Sequence, residues 1–278
     1  VDLHVPAGAT ALDRQLQQYV RTTAPPGRDT AQIGPFLATF HPTDPLPYLS
    51  YAIPDDDARP GAADVAALVA AYERHDRLPR LEFLPGAAPA VEAALLHAGF
   101  VVEARLPAMV CTPEQLVVPT LDAGLVLAVP AGDADLHAMT AAQHAAFGEG
   151  PPDADSVARS RKMLDAGALA ILARDRASGE VVGGGVATVP RDGVTEIAGI
   201  GVLAAHRRRG IATAITARLT ADAFAAGVTT AFLTPGDDGA HRAYQRAGFA
   251  DATVMLHISR PASDDADEDA RGADAATE

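Results

Sequence analysis

Residues 194–215 read VTEIAGIGVLAAHRRRGIATAI. A β-branched, strand-like run gives way to three arginines and a glycine. After the glycine the apolar residues Ile211, Ile215, Leu219 and Phe224 fall on one helical face. The order is therefore strand, basic turn, helix. The first turn of a helix carries unpaired N–H groups and a partial positive charge. Gly210 and Ala212 are small enough to let an anion approach the backbone. Arg207, Arg208 and Arg209 add full charges. A phosphate or pyrophosphate is the ligand such a turn fits. A solvated basic helix start is the alternative that the turn alone leaves open.

The surroundings are acidic. The 278 residues have a formal net charge of −14, and residues 261–278 (PASDDADEDARGADAATE) hold seven acids and one arginine. That tail has nothing apolar larger than alanine and is expected to be disordered. The acidity elsewhere argues against nucleic acid or an anionic membrane as the main partner. No signal peptide and no apolar run near 18 residues is read, so the expected compartment is the cytoplasm. The single Cys111 lies in the apolar stretch LPAMVC and reads as a buried structural thiol. No His/Cys/Asp cluster has metal-ligand spacing.

Two stretches repeat one another. LEFLPGAAPAVEAALLHAGFVVEARLPAMVC (81–111) and AFLTPGDDGAHRAYQRAGFADATVMLHIS (231–259) each give a strand, a Pro-Gly turn, a helix, Ala-Gly-Phe and more strand. Gly99 and Gly248 suit the left-handed position that ends a helix. Two copies of one α/β fold follow, not a solenoid. The expected division is 1–115, a linker at 116–123, then 124–260. The first copy opens with a helix, TALDRQLQQYV, capped by Thr10. Strands follow at IGPFLATF and PYLSYAIP, then a helix at ADVAALVAAYERH. The second copy has strand LVLAVP, helices at ADLHAMTAAQHAAF and DSVARSRKMLDAG, and strands ALAILARD, EVVGGGVATV and VTEIAGIGV. The triple glycine 183–185 sits inside a strand-like run, which does not fit a dinucleotide fingerprint.

The combined order in the second copy resembles the GNAT N-acetyltransferases. Arg207-x-x-Gly210-x-Ala212 is similar to that family's Arg/Gln-x-x-Gly-x-Gly/Ala signature and follows its strand. Tyr244 in AYQRAGF, seventeen residues after Gly227, resembles the family's Tyr-x-x-x-Gly-Phe segment. Asp237 and Ala240 take the Asn and Ala places before it. The resemblance covers 124–259 and implies acetyl-CoA, or another acyl-CoA, as cosubstrate, with no metal. It places the CoA pyrophosphate on Arg207, Arg208, Arg209 and the N–H groups of Gly210, Ile211, Ala212 and Thr213. It places a splayed strand end at Gly201-Val202, where the Val202 N–H polarises the thioester, and makes Tyr244 the acid that protonates the leaving sulfur.

For the base, Glu196 lies six residues before Val202, where many members carry an acid. An even spacing keeps the two on one strand face if no bulge intervenes. Ordering of the strand is its alternative role. His206 reads as a filler, and His144 and His241 as weaker acceptor-site candidates. The loop GEGPPDADS, with Glu149, Asp153 and Asp155, fits a cationic amine or mere solvation. The first copy lacks the arginine turn and has Leu95 in the place of Tyr244, a degenerate half. The expected function is acyl transfer to the amine of a small molecule by a monomer or homodimer. Acetylation of a protein amine and a non-catalytic acyl-CoA sensor are the rivals, and the retained Tyr244 argues against the sensor.

Overall fold

The computed structural model describes residues 11–261. Thr10 and all but the first residue of the acidic tail lie outside them. The chain forms two compact units, and neither follows chain order. One comprises residues up to Leu106 together with those from Val254. The other runs from Pro107 to Thr253. The expected division at 116–123 and 260 differs because the last strand of each repeat runs from one unit into the other.

The first unit holds α1 (Ala11–Thr23), β1 (Asp29–Ile33), β2 (Phe36–Phe40), β3 (Ala52–Pro54), α2 (Ala62–Arg74), β4 (Arg80–Phe83), α3 (Val91–His97) and the first part of β5 (Val101–Cys111). The sequence reads 33–40 as one strand. The structure instead makes a hairpin there, because Gly34 takes a φ of +51° and Pro35 follows it. PYLSYAIP likewise begins as a single 3₁₀ turn, with a strand only over Ala52–Pro54. The second unit holds β6 (Leu125–Ala128), α4 (Asp133–Phe147), α5 (Ala154–Asp165), β7 (Leu169–Asp175), β8 (Val181–Ala187), β9 (Val194–Val202), α6 (Ile211–Ala225), β10 (Thr230–Leu233) and α7 (Asp238–Arg246). The last strand, β11 (Ala250–Ser259), begins there.

Each unit's core contains a strand from the far repeat. In the first, Leu256 and Ile258 of β11 are fully buried with Phe36, Leu68, Tyr72, Phe83 and Leu95. β11 pairs antiparallel with β4, Leu256 opposite Phe83. Arg80, only 5% exposed, reinforces this strand. It donates to Glu103 (2.9 Å) and Glu82, and lies 3.2 Å from His257 Nδ1. In the second unit, Met109 and Cys111 of β5 pack with Ile171, Ile215, Leu219, Leu233 and Phe249. β5 pairs antiparallel with β10, Cys111 opposite Ala231. Burial pushes the Cys111 thiol up to about 11, as an inert core residue requires.

The triple glycine does belong to a strand, and its purpose is close packing. A Cβ at Gly184 would lie 2.3 Å from Met139 Cγ of α4. One at Gly185 would lie 2.3 Å from Ile200 Cδ1 and about as close as 3.1 Å to Ile215 of α6. Helices thus press on both faces of β8. A Cβ at Gly183 would stand 2.7 Å from the Gly201 carbonyl oxygen, an atom that cannot swing aside. Gly183→Ala is expected to destabilise the protein by about 1–3 kcal/mol through overpacking, measured by urea unfolding. An unchanged midpoint would show that β8 and β9 separate there freely.

Candidate active site

The site begins where two neighbouring strands part. β9 runs parallel to β10, but their register covers only Val194–Glu196 against Thr230–Phe232. Beyond Glu196 the strands separate. On its other edge β9 stays paired with β8, through an irregularity. Gly184 faces Gly201 and Val186 faces Ala198, so Gly199 and Ile200 together oppose Gly185 alone. This is a β-bulge, and Gly199 takes a φ of +61° in it. Gln143 of α4 holds it by donating from Nε2 to the Gly199 carbonyl at 2.6 Å.

The bulge sets the chemistry on each side. The Leu203 N–H donates to the Val182 carbonyl. Alternation along the strand then turns the Val202 N–H to the opposite edge, where β10 has departed. The expected splay at Gly201-Val202 is therefore present. The expected face of Glu196 is not. The extra residue shifts the phase, so Glu196 shares its face with Ala198 and Gly201, the face covered by α4, while Val202 lies on the other. Glu196 still borders the cavity that opens between the strands.

That cavity, about 880 Å³, lies wholly in the second unit, within the usual range for small-molecule sites. Val202, Arg207, Arg208, Gly210, Ile211, Ala212, Thr213, Glu196 and Tyr244 all line it; Arg209 does not. Arg209 instead pairs with Asp122 at 3.0 Å and Asp175 at 3.7 Å and reaches His206. Arg207 straps the turn, donating to the carbonyls of Val202 (3.2 Å) and Ala146 (3.0 Å). Arg208 is exposed with a φ of +64°, an uncommon conformation for a non-glycine residue. Gly210 follows at +75° and caps α6, whose start receives no side-chain hydrogen bond. Gly210, Ile211, Ala212 and Thr213 line the cavity, and among the described residues no side chain caps the start of that 15-residue helix. The Thr213 hydroxyl donates to the Ala243 carbonyl and ties α6 to α7.

Tyr244 reaches the cavity from α7 while packed in the core, 8% exposed. Burial, with a smaller contribution from Asp237, pushes its phenol up to about 12. It is thus protonated at neutral pH and can donate. Asp237 caps α7 by accepting from the Ala240 N–H at 2.7 Å. The remaining acceptor candidates have structural duties. Asp153 caps α5 through the Ser156 N–H. His144 meets Glu149 and the Gly150 carbonyl, and His241 meets Asp251 at 2.7 Å. The sequence reading passed over Arg242 and Arg246, which also line the cavity. Their spacing on either side of Tyr244 was the available signal.

The first unit treats the equivalent opening differently. β3 and β4 share one parallel pair, Ala52 opposite Leu81. The side chain of Gln17 in α1 then bridges them. Its Nε2 donates to the Pro54 carbonyl and its Oε1 accepts from the Leu84 N–H, both at 3.0 Å. Helix α2, in the place of α6, has its own carboxylate at its start. Asp64 accepts from the Gly61 N–H at 2.8 Å. Leu95 is fully buried.

Residues 136–249 match the model of the acetyltransferase (GNAT) family. No curated protein matches the chain. Among solved structures, a GCN5-related N-acetyltransferase from Kribbella flavida is 29% identical with a TM-score of 0.77, over 93% of this chain and 99% of that one. A GCN5-related N-acetyltransferase from Sphaerobacter thermophilus is 20% identical with a TM-score of 0.62, over 83% and 78%. A tandem GNAT protein from the clavulanic acid biosynthesis pathway is 14% identical with a TM-score of 0.63, over 93% and 92%. The last two are likenesses of fold.

Gly210→Asp places a carboxylate at the helix start; a new Cβ meets nothing within 4 Å, and holding aspartate at a φ of +75° costs about 1–2 kcal/mol, too little to unfold the domain. The fold should persist and affinity for CoA should fall by about 10²-fold or more, the scale of a like charge a few ångströms from an anion. Calorimetric titration checks this. Unchanged affinity would remove the helix start from the site.

Proposed function

We propose, from a chain whose residues 136–249 are a domain of the acetyltransferase (GNAT) family, that the second unit transfers an acyl group from CoA to the amine of a small molecule. Acyl-CoA-dependent transfer is the family's reaction, and acetyl-CoA is the proposed donor. The observation that carries the reading is the convergence of three groups on one cavity: an uncapped helix start, the Val202 edge of a parted strand, and a protonated Tyr244.

Transfer from a thioester to an amine needs alignment, carbonyl polarisation, removal of a proton from the amine and a proton for the departing sulfur. The start of α6 and the Arg207–Gly210 turn hold the diphosphate. The Val202 N–H, pointing away from β8, stabilises charge on the thioester oxygen. Glu196, on the α4 face, takes the amine proton directly or through water. Tyr244 donates to the thiolate. A phenol pushed up by burial is held in the form that can do so. Each chain takes one acyl-CoA, in the second unit only: in the first, Gln17 already bridges the parted strands, Asp64 sets a carboxylate at the start of α2, and Leu95 stands in the place of Tyr244. Acetyl-CoA turnover across a panel of small amines and lysine peptides tests the reading. Failure to release CoA with any amine of the panel would leave only binding.

Tyr244→Phe should lower kcat by about 10²-fold or more with little change in CoA affinity. Unchanged turnover with a true acceptor would remove the acid role. Glu196→Gln should depress the rate most at low pH, where the amine is mainly protonated, and progressively less as bulk solution deprotonates it. A loss equal at every pH would assign Glu196 to strand order. Titration with acetyl-CoA should give one site per chain; two would show that the first unit also binds.

A further inference from the structure

The strand segment that carries the Val202 N–H is held from one helix. Beyond Glu196 it has no register with β10 among the described residues. Two side-chain bonds tie it to α4 instead. Gln143 donates from Nε2 to the Gly199 carbonyl at 2.6 Å. Arg207 joins the Val202 carbonyl (3.2 Å) to the Ala146 carbonyl (3.0 Å). Gln143 and Ala146 lie three residues apart on α4 and so share a face. Residues 199–202 are thereby clamped to α4 at both ends.

The contact at Gly199 is direct and close. A Cβ at Gly199 would lie 2.9 Å from Gln143 Nε2, and one at Gly201 would lie 2.9 Å from the Gln143 Cα. The glutamine therefore lies along β9, from Gly201 back to Gly199, across the bulge. The ladder does not fix a peptide at a bulge, because the extra residue is left unpaired. The Gln143 bond fixes it. In a trans peptide the N–H points opposite to the C=O. Holding the Gly199 carbonyl against α4 thus turns the Ile200 N–H away from α4, and sets the direction in which the chain enters Val202, two peptides on. A hydrogen bond to a developing oxyanion weakens steeply as its angle closes, so a small rotation of that segment is enough to cost rate. Gln143 is half-buried and is not among the residues lining the cavity, so its influence on the chemistry passes through this peptide.

Resting on the acyl-CoA reading above, we infer that Gln143 is a positioning residue for the transfer step. By fixing the Gly199–Ile200 peptide it aims the Val202 N–H at the thioester oxygen, and it touches neither the acyl-CoA nor the amine. Its loss should slow transfer without weakening the hold on CoA.

Gln143→Met keeps the length and helix preference of the side chain and removes the donor. With acetyl-CoA and an amine that supports turnover, the full chain carrying it should show kcat lower by roughly 10- to 100-fold, the scale of a misplaced oxyanion donor. The KM of the amine and the calorimetric affinity for CoA should not change, and that affinity also reports an intact fold. The infrared spectrum of bound acetyl-CoA, labelled with carbon-13 at the thioester carbonyl, is a readout that a structural role would not move. In the wild type the carbonyl band should lie below its frequency in solution, and in Gln143→Met it should return toward it. Gln143→Glu, of the same shape but without an N–H donor, should behave as Gln143→Met does. Gln143→Lys, which restores a donor on a longer stem, should recover part of both rate and shift. Wild-type kcat in Gln143→Met overturns the assignment. So does a kcat that falls while the band stays shifted, or a CoA affinity that falls in step with the rate. If Gln143→Met does not fold, Gln143→Glu decides by the same three outcomes. A wild type that turns over with its band at the solution frequency also overturns the assignment. Failure of the wild type to bind acetyl-CoA overturns the acyl-CoA reading itself.

Discussion

Everything in the second unit depends on one interruption in a hydrogen-bond ladder. β9 and β10 stay together for three residue pairs and then separate. Separation leaves main-chain groups without sheet partners, which is costly unless something else takes them. The bulge at Gly199 and Ile200 makes it possible. It lets β9 keep its pairing with β8 while changing direction, and Gln143 secures the distorted peptide. Small residues then bring the helices close. Gly184, Gly185 and Gly201 allow α4 and α6 to lie against the sheet, and a Cβ at Gly201 would sit 2.9 Å from the Gln143 Cα.

The first unit shows the same interruption closed from within. Gln17 offers a donor to one strand and an acceptor to the other, so the Pro54 carbonyl and Leu84 N–H are satisfied without a ligand. Asp13, only 4% exposed, fills the space over Gly86, where a Cβ would lie 2.6 Å from its carboxyl carbon. A glutamine and two aspartates here occupy positions that the second unit keeps open. Loss of ligand-binding residues and gain of internal partners accompany one another. A vacant polar cleft with no ligand would leave buried groups unpaired.

Much of this was readable from residue order. Gly99, Gly227 and Gly248 were legible as helix ends because only glycine takes a positive φ cheaply, and all three do. Tyr244 and the turn at Gly210 were legible because spacing along one strand or helix is a local property. The phase of Glu196 was not, since an apolar alternation does not announce where one extra residue will be inserted. The roles of the three arginines were not either. Asp122 and Asp175, which hold Arg209, are distant in sequence. Nor was the ownership of β5 and β11. Alternation tells which face of a strand is buried, not which sheet it joins. Arg242 and Arg246 were hidden because the spacing of Asp237, Ala240, Tyr244 and Gly248 says nothing of the residues between them.

The exchange of strands also orders the protein in time. The edge of β4 is completed by residues 256–259, about 150 residues after the rest of the first unit has been made. Translation at 5–20 residues per second leaves that edge unpaired for on the order of ten seconds. The N-terminal repeat cannot mature first as an independent body. It waits as an open sheet, exposed to pairing with other chains, until the second repeat has been synthesised and its last strand returns. Assembly is thereby made collective, with a long-range closure as its final step, and slow in the manner of high-contact-order folds.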